Sequence, residues 1–319
     1  MNSSAGIKVS DIAYARVAVP DLDLAQQFLT DFGLIALERT QDKLFLRGTG
    51  ASHHIYIAEQ ADEPRLIAFG FRAGSEEDLA RAACLPDAES AVEPTGEPGG
   101  GQRVRLREPN GYGIEIVHDI QSLPPLEVHQ QKVNSAQAPL ARKGELFRLP
   151  RAQLPVLRIA HGIIVTPKLR ETSRWFEENL GFIASDVIYA GSQDNIIGYF
   201  DRCDCGPEYV DHHTLGLFDF GGQTGMHHIS FEVADIDAVM AGHYYLKQLD
   251  RYEHRWGVGR HTSGSQVFDY WADPWGRVHE RWADSDRLNR DSGSLLLSVD
   301  ALDSQWGEAQ PESFMQAVP

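Results

Sequence analysis

Three residues in the second half of the chain, His161, His228 and Glu280, sit in the stretches "RIAHGIIV", "GMHHISFEV" and "GRVHERW". Each stretch alternates or runs apolar in the manner of a strand. On neighbouring strands of one sheet, two imidazoles and a carboxylate converge on a single cation. They take one face of an octahedron and leave three positions open, an arrangement suited to O2 chemistry at non-haem Fe(II). Taken singly, each residue reads as a core histidine or a solvated glutamate. The doublet "TGMHHISFEVADI" adds a choice between His227 and His228. If Ile229 and Phe231 face the packed side, alternation places His228 with Ser230 and Glu232 on the other face and turns His227 away. His228 is therefore the expected ligand and His227 a supporting or structural residue.

Further polar groups accompany these three. "YVDHHTLGLFDF" brings His212 and His213 to the start of a strand, and "GVGRHTSGSQVFDYWADP" carries His261 and, nine residues on, Tyr270. Together they offer the acid, the base and the hydrogen-bond donors that an oxygen-activating metal requires. Trp256, Trp271, His254 and Arg255 are near enough in sequence to be candidate pocket walls, with Arg255 a candidate partner for a substrate carboxylate or extra hydroxyl.

The elements that must position these groups come from a repeat. With 319 residues the chain has room for two domains. "IAYARVAVPDLDLAQQFLTDFGL" in the first half matches "IAHGIIVTPKLRETSRWFEENLGF" in the second: a strand, a Pro-bearing turn, an amphipathic helix and a terminating Gly. "REPNGYGIEIV" likewise matches "ADPWGRVHERW", aligning Glu115 with Glu280. The first-half positions matching His161 and His228 are Tyr14 and a site near Ala68, so one metal site is expected, in residues 156–285. The expected division is residues 1–125, a connecting segment 126–155, a metal-binding domain 156–285, and a polar C-terminal arm 286–319. In the second half, strands are expected at 157–165, 196–200, 213–218, 228–233 and 267–271, and a helix follows Asp235 as N-cap. The order implies curved, helix-flanked mixed sheets, each open on one face.

Bulk properties exclude other classes. Lys and Arg number 29 against 46 Asp and Glu, a net charge of −17, which lacks the basic footprint of a nucleic-acid or acidic-membrane binder. Cys84, Cys203 and Cys205 form no disulfide framework. Cys203 and Cys205 are too closely spaced for a zinc knuckle. The N-terminal "MNSSAGIKVSDIAYA" has no apolar targeting core, and no apolar run reaches membrane-spanning length. A soluble, cytoplasmic protein is expected.

Five ordered segments, "IAHGIIVTP", "DHHTLGLF", "MHHISFEV" and "GRHTSGSQVFDYWADP" leading into "WGRVHE", resemble the type I extradiol ring-cleaving dioxygenases of the vicinal oxygen chelate superfamily. The likeness spans about residues 9–286. It implies an α+β fold of two tandem duplicated domains, each a pair of βαβββ modules forming a curved mixed sheet, with the metal site in the C-terminal one. It implies Fe(II), or Mn(II), held by His161, His228 and Glu280. His213 would steady bound oxygen and relay a proton, while His261 and Tyr270 would hydrogen-bond substrate oxygens. The partners implied are an aromatic diol and O2, the product a muconic semialdehyde, and the assembly a homo-oligomer, a tetramer by analogy. The chain departs from the pattern in placing His279 before the glutamate and Arg281 after it, a difference expected to bear on substrate contacts at the rim. Two other readings compete. A glyoxalase- or epimerase-like isomerase would recruit ligands from both halves, which Tyr14 and the Ala68 region do not offer. A non-catalytic sequestering protein would have no need of a His/His/Glu face backed by His213, His261 and Tyr270.

Overall fold

The computed structural model describes residues 6–128, 132–150 and 152–319. The expected connection 126–155 therefore includes four residues, 129–131 and 151, that lie outside the described ones. Residues of the first half form β1 (Val9–Val19), α1 (Leu22–Phe32), β2 (Ile35–Arg39), β3 (Lys43–Arg47), β4 (Tyr56–Gln60), β5 (Arg65–Ala73), α2 (Glu76–Ala82), β6 (Glu93–Pro94), β7 (Gln102–Arg107) and β8 (Gly113–His118). The second half opens with β9 (Arg158–Val165), α3 (Leu169–Leu180), β10 (Phe182–Tyr189), β11 (Ile196–Cys203), β12 (Val210–Asp211), β13 (Leu215–Phe218) and β14 (Gly225–Glu232). It continues through α4 (Ile236–Leu249), β15 (His254–His261), β16 (Val267–Ala272), β17 (Val278–Ala283), β18 (Arg287–Leu288), β19 (Leu295–Ser298) and β20 (Ser304–Trp306).

Each half is thus a βαβββ unit used twice, and the two units meet along their first strands. The first sheet runs β2-β3-β4-β1-β5-β8-β7-β6, and the second repeats that order as β10-β11-β13-β9-β14-β17-β16-β15. The second sheet gains an edge strand at each end, β19 beside β10 and β20 beside β15, both from the C-terminal arm. The arm therefore pairs with both edges of the sheet that carries the histidines.

Local chemistry explains the helices. Asp21 and Asp235 cap α1 and α4 by accepting from backbone N–H groups of the first turn. Gly33 and Gly181, with φ of 123° and 71°, end α1 and α3 where a side chain would be strained. The apolar stripes of α1 and α3 (Phe28, Leu29 and Phe32; Trp175, Phe176 and Leu180) are buried as their spacing predicts. The expected strands appear with shifted ends, and β10 and β15 join them. Among the described residues, no helix is long and apolar enough to cross a membrane.

The two sheets share one apolar core, with Phe28 and Phe32 of α1 packed against Phe231 and His279 of the second sheet. This corrects the expectation for the residues flanking Glu280. His279 and Arg281 alternate away from Glu280 along β17, so both point to the seam between the sheets, fully buried, and neither reaches the rim. Arg281 donates to the carbonyls of Phe32 and Leu154. His279 contacts the Arg277 carbonyl through Nδ1 at 3.1 Å and Tyr56 Oη through Nε2 at 3.1 Å. A carbonyl only accepts, so Nδ1 carries the proton and Nε2 accepts from the phenol.

Burial, reinforced by the Arg277 charge, pushes the His279 imidazole down from 6.5 to about 3. The unfolded chain takes up this proton near pH 6.5 and the folded chain only near 3. The folded state therefore loses stability as pH falls through that window. In urea unfolding, the stability advantage of wild type over His279→Phe should shrink between pH 7 and pH 4. A pH-independent gap would contradict a neutral, buried His279.

Candidate metal centre

The register of four strands assembles the site. Ser230 of β14 stands opposite His161 of β9 on one side and opposite Glu280 of β17 on the other. Glu280 stands opposite Tyr270 of β16, and Tyr270 opposite Trp256 of β15. Directly opposed residues share a face of a pleated sheet, so His161, Ser230, Glu280, Tyr270 and Trp256 form one row across it. His228, two residues before Ser230, falls on the same face.

The ligand atoms meet at the floor of this face. His161 Nε2 lies 3.2 Å from His228 Nε2 and 3.1 Å from Glu280 Oε2, and His228 Nε2 lies 3.5 Å from Glu280 Oε2. All three side chains are buried. Donors bound at about 2.1 Å and right angles stand about 3.0 Å apart, so the triangle has the size of one face of a metal's coordination shell. Ser230 Oγ donates to Glu280 Oε2 at 2.5 Å, which fixes the carboxylate. Burial alone would raise the Glu280 pKa, but the imidazoles of His161, His261 and His228 beside it outweigh burial and hold the carboxyl well below its usual range.

The doublet at 227–228 differs from strict alternation. Between the pairs Met226–Ile164 and Ile229–Gly162, β14 advances three residues while β9 advances two. This bulge turns His227 toward the pocket as well as His228, correcting the expectation that it points away. His227 Nε2 lies 2.7 Å from the Phe314 carbonyl and its Nδ1 lies 2.6 Å from His228 Nδ1. Burial pushes the His227 pKa down to about 4, so the ring is neutral at pH 7. Its one proton must sit on Nε2 to meet the carbonyl, leaving Nδ1 to accept from His228 Nδ1–H. The Nε2 lone pair of His228 is then bare, 3.5 Å from a carboxylate oxygen and 3.2 Å from His161 Nε2, a set of donor atoms that a cation between them can take up. On this chemistry the residues present fit a divalent metal.

The doublet at 212–213 repeats the device. His212 Nε2 lies 3.2 Å from Asp186 Oδ2 and its Nδ1 lies 3.1 Å from His213 Nδ1. With His212 donating to Asp186, His213 donates from Nδ1 and keeps Nε2 free to accept. Its ring centroid is 4.1 Å from that of His161. Burial, with His161 and His212 adding to it, pushes its pKa well below 6.5. On the other side, His261 Nε2 lies 2.8 Å from Tyr270 Oη and 3.6 Å from Glu280 Oε1. Burial and the Glu280 charge raise the Tyr270 pKa well above 10, so Tyr270 keeps its proton.

These six residues open into one pocket, walled by Ile163, Phe200, Phe218, Phe220, Trp256, Leu302, Phe314 and Met315. Leu302, Phe314 and Met315 come from the arm, whose role in the pocket its polar sequence did not announce. Of the four wall candidates read from sequence, Trp256 alone lines the pocket. Trp271 and His254 lie on the opposite face of the sheet, and Arg255 pairs with Glu253 and the Ser313 carbonyl outside.

The first sheet shows the same row without the ligands. Tyr14 pairs with Gly70 as His161 pairs with Ser230, and Gly70 with Glu115 as Ser230 with Glu280. Ala68 stands opposite Gly113 as His228 stands opposite Val278, which places Ala68 at the second ligand position. A Cβ at Gly70 would approach the Tyr14 ring to 2.7 Å, so the glycine makes room for a phenol that donates to Glu115 Oε2 at 2.5 Å. Arg16 bonds Glu115, Glu97 and Glu59, so a guanidinium neutralises the carboxylates there. Sequence reading missed a third doublet, His53–His54, with Nδ1 atoms 3.2 Å apart. "SHHIYIA" against "DHHTLGLF" was the available signal. Cys203 is buried, Cys205 half-buried, and neither belongs to a metal-sized cluster among the described residues.

Two copies of a paired βαβββ unit match the fold of solved extradiol ring-cleaving dioxygenases, and the chain is similar in sequence to curated extradiol dioxygenases. It is 27% identical to metapyrocatechase 2 of Cupriavidus necator, over 97% of this chain and 92% of that protein. It is 24% identical to the manganese-dependent 2,3-dihydroxybiphenyl 1,2-dioxygenase of Geobacillus genomosp. 3, over 91% and 87%. In fold it matches an extradiol ring-cleaving dioxygenase from B. fuscum, with a TM-score of 0.80 at 19% identity, over 100% of this chain and 84% of that one. A Mn(II)-bound glyoxalase from Novosphingobium aromaticivorans matches with 0.78 at 23%, over 98% and 97%. No protein-family model matches the chain.

Relative to wild type, His228→Ala should lose one metal per chain, the one held at this centre. His227→Ala should still fill this centre, with affinity about 10–100-fold weaker, the usual cost of losing a ligand's hydrogen-bond partner. Metal analysis after equilibrium dialysis checks both. Unchanged affinity in His227→Ala would contradict the tautomer relay.

Proposed function

We propose that the chain is an extradiol dioxygenase that holds Fe(II), or Mn(II), through His161 Nε2, His228 Nε2 and Glu280 Oε2 and cleaves a catechol beside its vicinal diol. The observation that carries this reading is the triangle of ligand atoms, 3.1–3.5 Å on a side, at the floor of a pocket that also contains His213, His261 and Tyr270. Bound there, such a cation supplies open positions for two diol oxygens and O2 and lowers the pKa of a coordinated phenol.

The chain's own residues do the rest. His213, neutral with a free Nε2, is placed to take a proton and later return it. Tyr270 keeps its proton and, with His261, forms a hydrogen-bonded pair aimed at the substrate oxygens on the other side. Ser230 keeps Glu280 from swinging. The apolar walls exclude water, which strengthens each of these electrostatic contacts. Among the described lining residues none is Lys or Arg, which favours a neutral, apolar or aromatic ring substituent over a carboxylate. The fold is shared with a glyoxalase, but a site spanning both halves would need ligands where Tyr14 and Ala68 stand. Three free thiols, at Cys84, Cys203 and Cys205, accord with a reducing, cytoplasmic setting.

Anaerobic loading with Fe(II), followed by O2 and a panel of catechols, tests the reading. One O2 should be consumed per catechol, with a yellow ring-fission product, and alkyl- or aryl-substituted catechols should outrun carboxylated ones. Absence of oxygen uptake with every catechol, from a chain that has bound its metal, would overturn it. His213→Ala should keep the metal and lose on the order of 10²–10⁴-fold in kcat.

A further inference from the structure

The other face of the same sheet carries a second cluster of metal-ligand type, formed by His243, His254 and Asp269. One residue comes from each of α4, β15 and β16. Asp269 and Trp271 alternate with Tyr270 along β16, so they face α4 while Tyr270 faces the pocket. A register shift between His254 and Trp256 puts these two residues of β15 on opposite faces as well. His243 lies on the buried stripe of α4.

The candidate ligand atoms of this group all lie within 4.8 Å of one another. His243 Nδ1 lies 3.0 Å and His254 Nε2 lies 2.8 Å from the same Asp269 oxygen, Oδ1. Asp269 is fully buried. Its other oxygen, Oδ2, accepts from Trp271 Nε1 at 2.6 Å. That indole holds the carboxylate with Oδ1 turned toward both imidazoles, the outer-sphere clamp that metal-binding carboxylates commonly have. His243 is almost wholly buried, whereas the His254 side chain is 29% exposed, so the group has one edge open to water.

We propose that His243, His254 and Asp269 form a second metal site, structural in role and suited by its donors to Zn(II). Two imidazoles and one carboxylate select a borderline transition ion over Mg(II) or Ca(II), which prefer oxygen-rich shells. Three protein ligands and one water from the open edge complete a four-coordinate shell. Without metal, the two imidazole N–H groups satisfy Oδ1. Binding shifts each of these protons to the other nitrogen of its ring and frees His243 Nδ1 and His254 Nε2 for the cation. Arg281, opposite Asp269 on β17, is the positive charge that opposes loading. Its NH2 group is engaged by the Phe32 and Leu154 carbonyls. The metal would staple α4 to the β15–β16 hairpin, whose other face presents Trp256, His261 and Tyr270 to the pocket.

The test uses the full chain carrying His161→Ala and His228→Ala, which removes the first site, with Zn(II) alone as probe. This background should bind one zinc by dialysis and metal analysis, and zinc should raise its Tm. Adding His254→Ala, at a half-exposed position, should abolish both effects while leaving the zinc-free Tm close to that of the background. His254→Gln, checked by far-UV circular dichroism, serves if the alanine variant does not fold. Wild type should bind two zinc ions. A background chain that takes up no zinc, or a folded His254 variant that keeps its zinc, would overturn the proposal.

Discussion

The site depends on strand register. The parallel pairing of β14 with β17 and the antiparallel pairings on either side set His161, Ser230, Glu280, Tyr270 and Trp256 in one transverse row. Because side chains alternate with a period of two, a one-residue slip in any of these strands would send its contribution to the opposite face. Burial on both faces prevents the slip. Behind the row, His279 and Arg281 lock β17 to α1 and β4, and Asp269 locks β16 to α4. The same pleat that aims Glu280 into the pocket thus aims its neighbours into the seam that holds it.

Duplication shows which part of this arrangement is scaffold and which is chemistry. Both sheets have the same strand order and the same row of paired positions. In the first sheet, Glu115 is neutralised from within, by Arg16 and the Tyr14 phenol, and the second ligand position holds Ala68. In the second, Glu280 faces the Nε2 atoms of His161 and His228 instead of a guanidinium. Tyr14 and Gly70 are coupled, since the phenol occupies the space that a Cβ at residue 70 would need.

Much of this was legible in the sequence because repeated segments carry their own alignment. The matched turns before Glu115 and Glu280, and the matched strands of Tyr14 and His161, align two members of the row, His161 and Glu280, with their first-half counterparts. What escaped was set by events that periodicity does not record. The bulge in β14 turned His227 inward, and alternation alone cannot foresee an extra residue. The departure at His279 and Arg281 bore on substrate contacts at the rim only while the packing of one sheet on the other was unknown. Phe314 reaches the pocket because the arm pairs with both edges of the second sheet, a long-range contact without a local signal. The cluster of His243, His254 and Asp269 was hidden because a helix and a hairpin bring together residues that no motif joins.

The central claim is that one divalent metal sits between His161 Nε2, His228 Nε2 and Glu280 Oε2 with an open side facing His213 and Tyr270. Anomalous diffraction at the iron edge, from crystals loaded anaerobically with Fe(II) and a catechol, addresses it directly. The account predicts a peak within coordination distance of those three atoms, with both diol oxygens on the open side. Iron bound elsewhere, or a catechol that leaves the metal untouched, would contradict it.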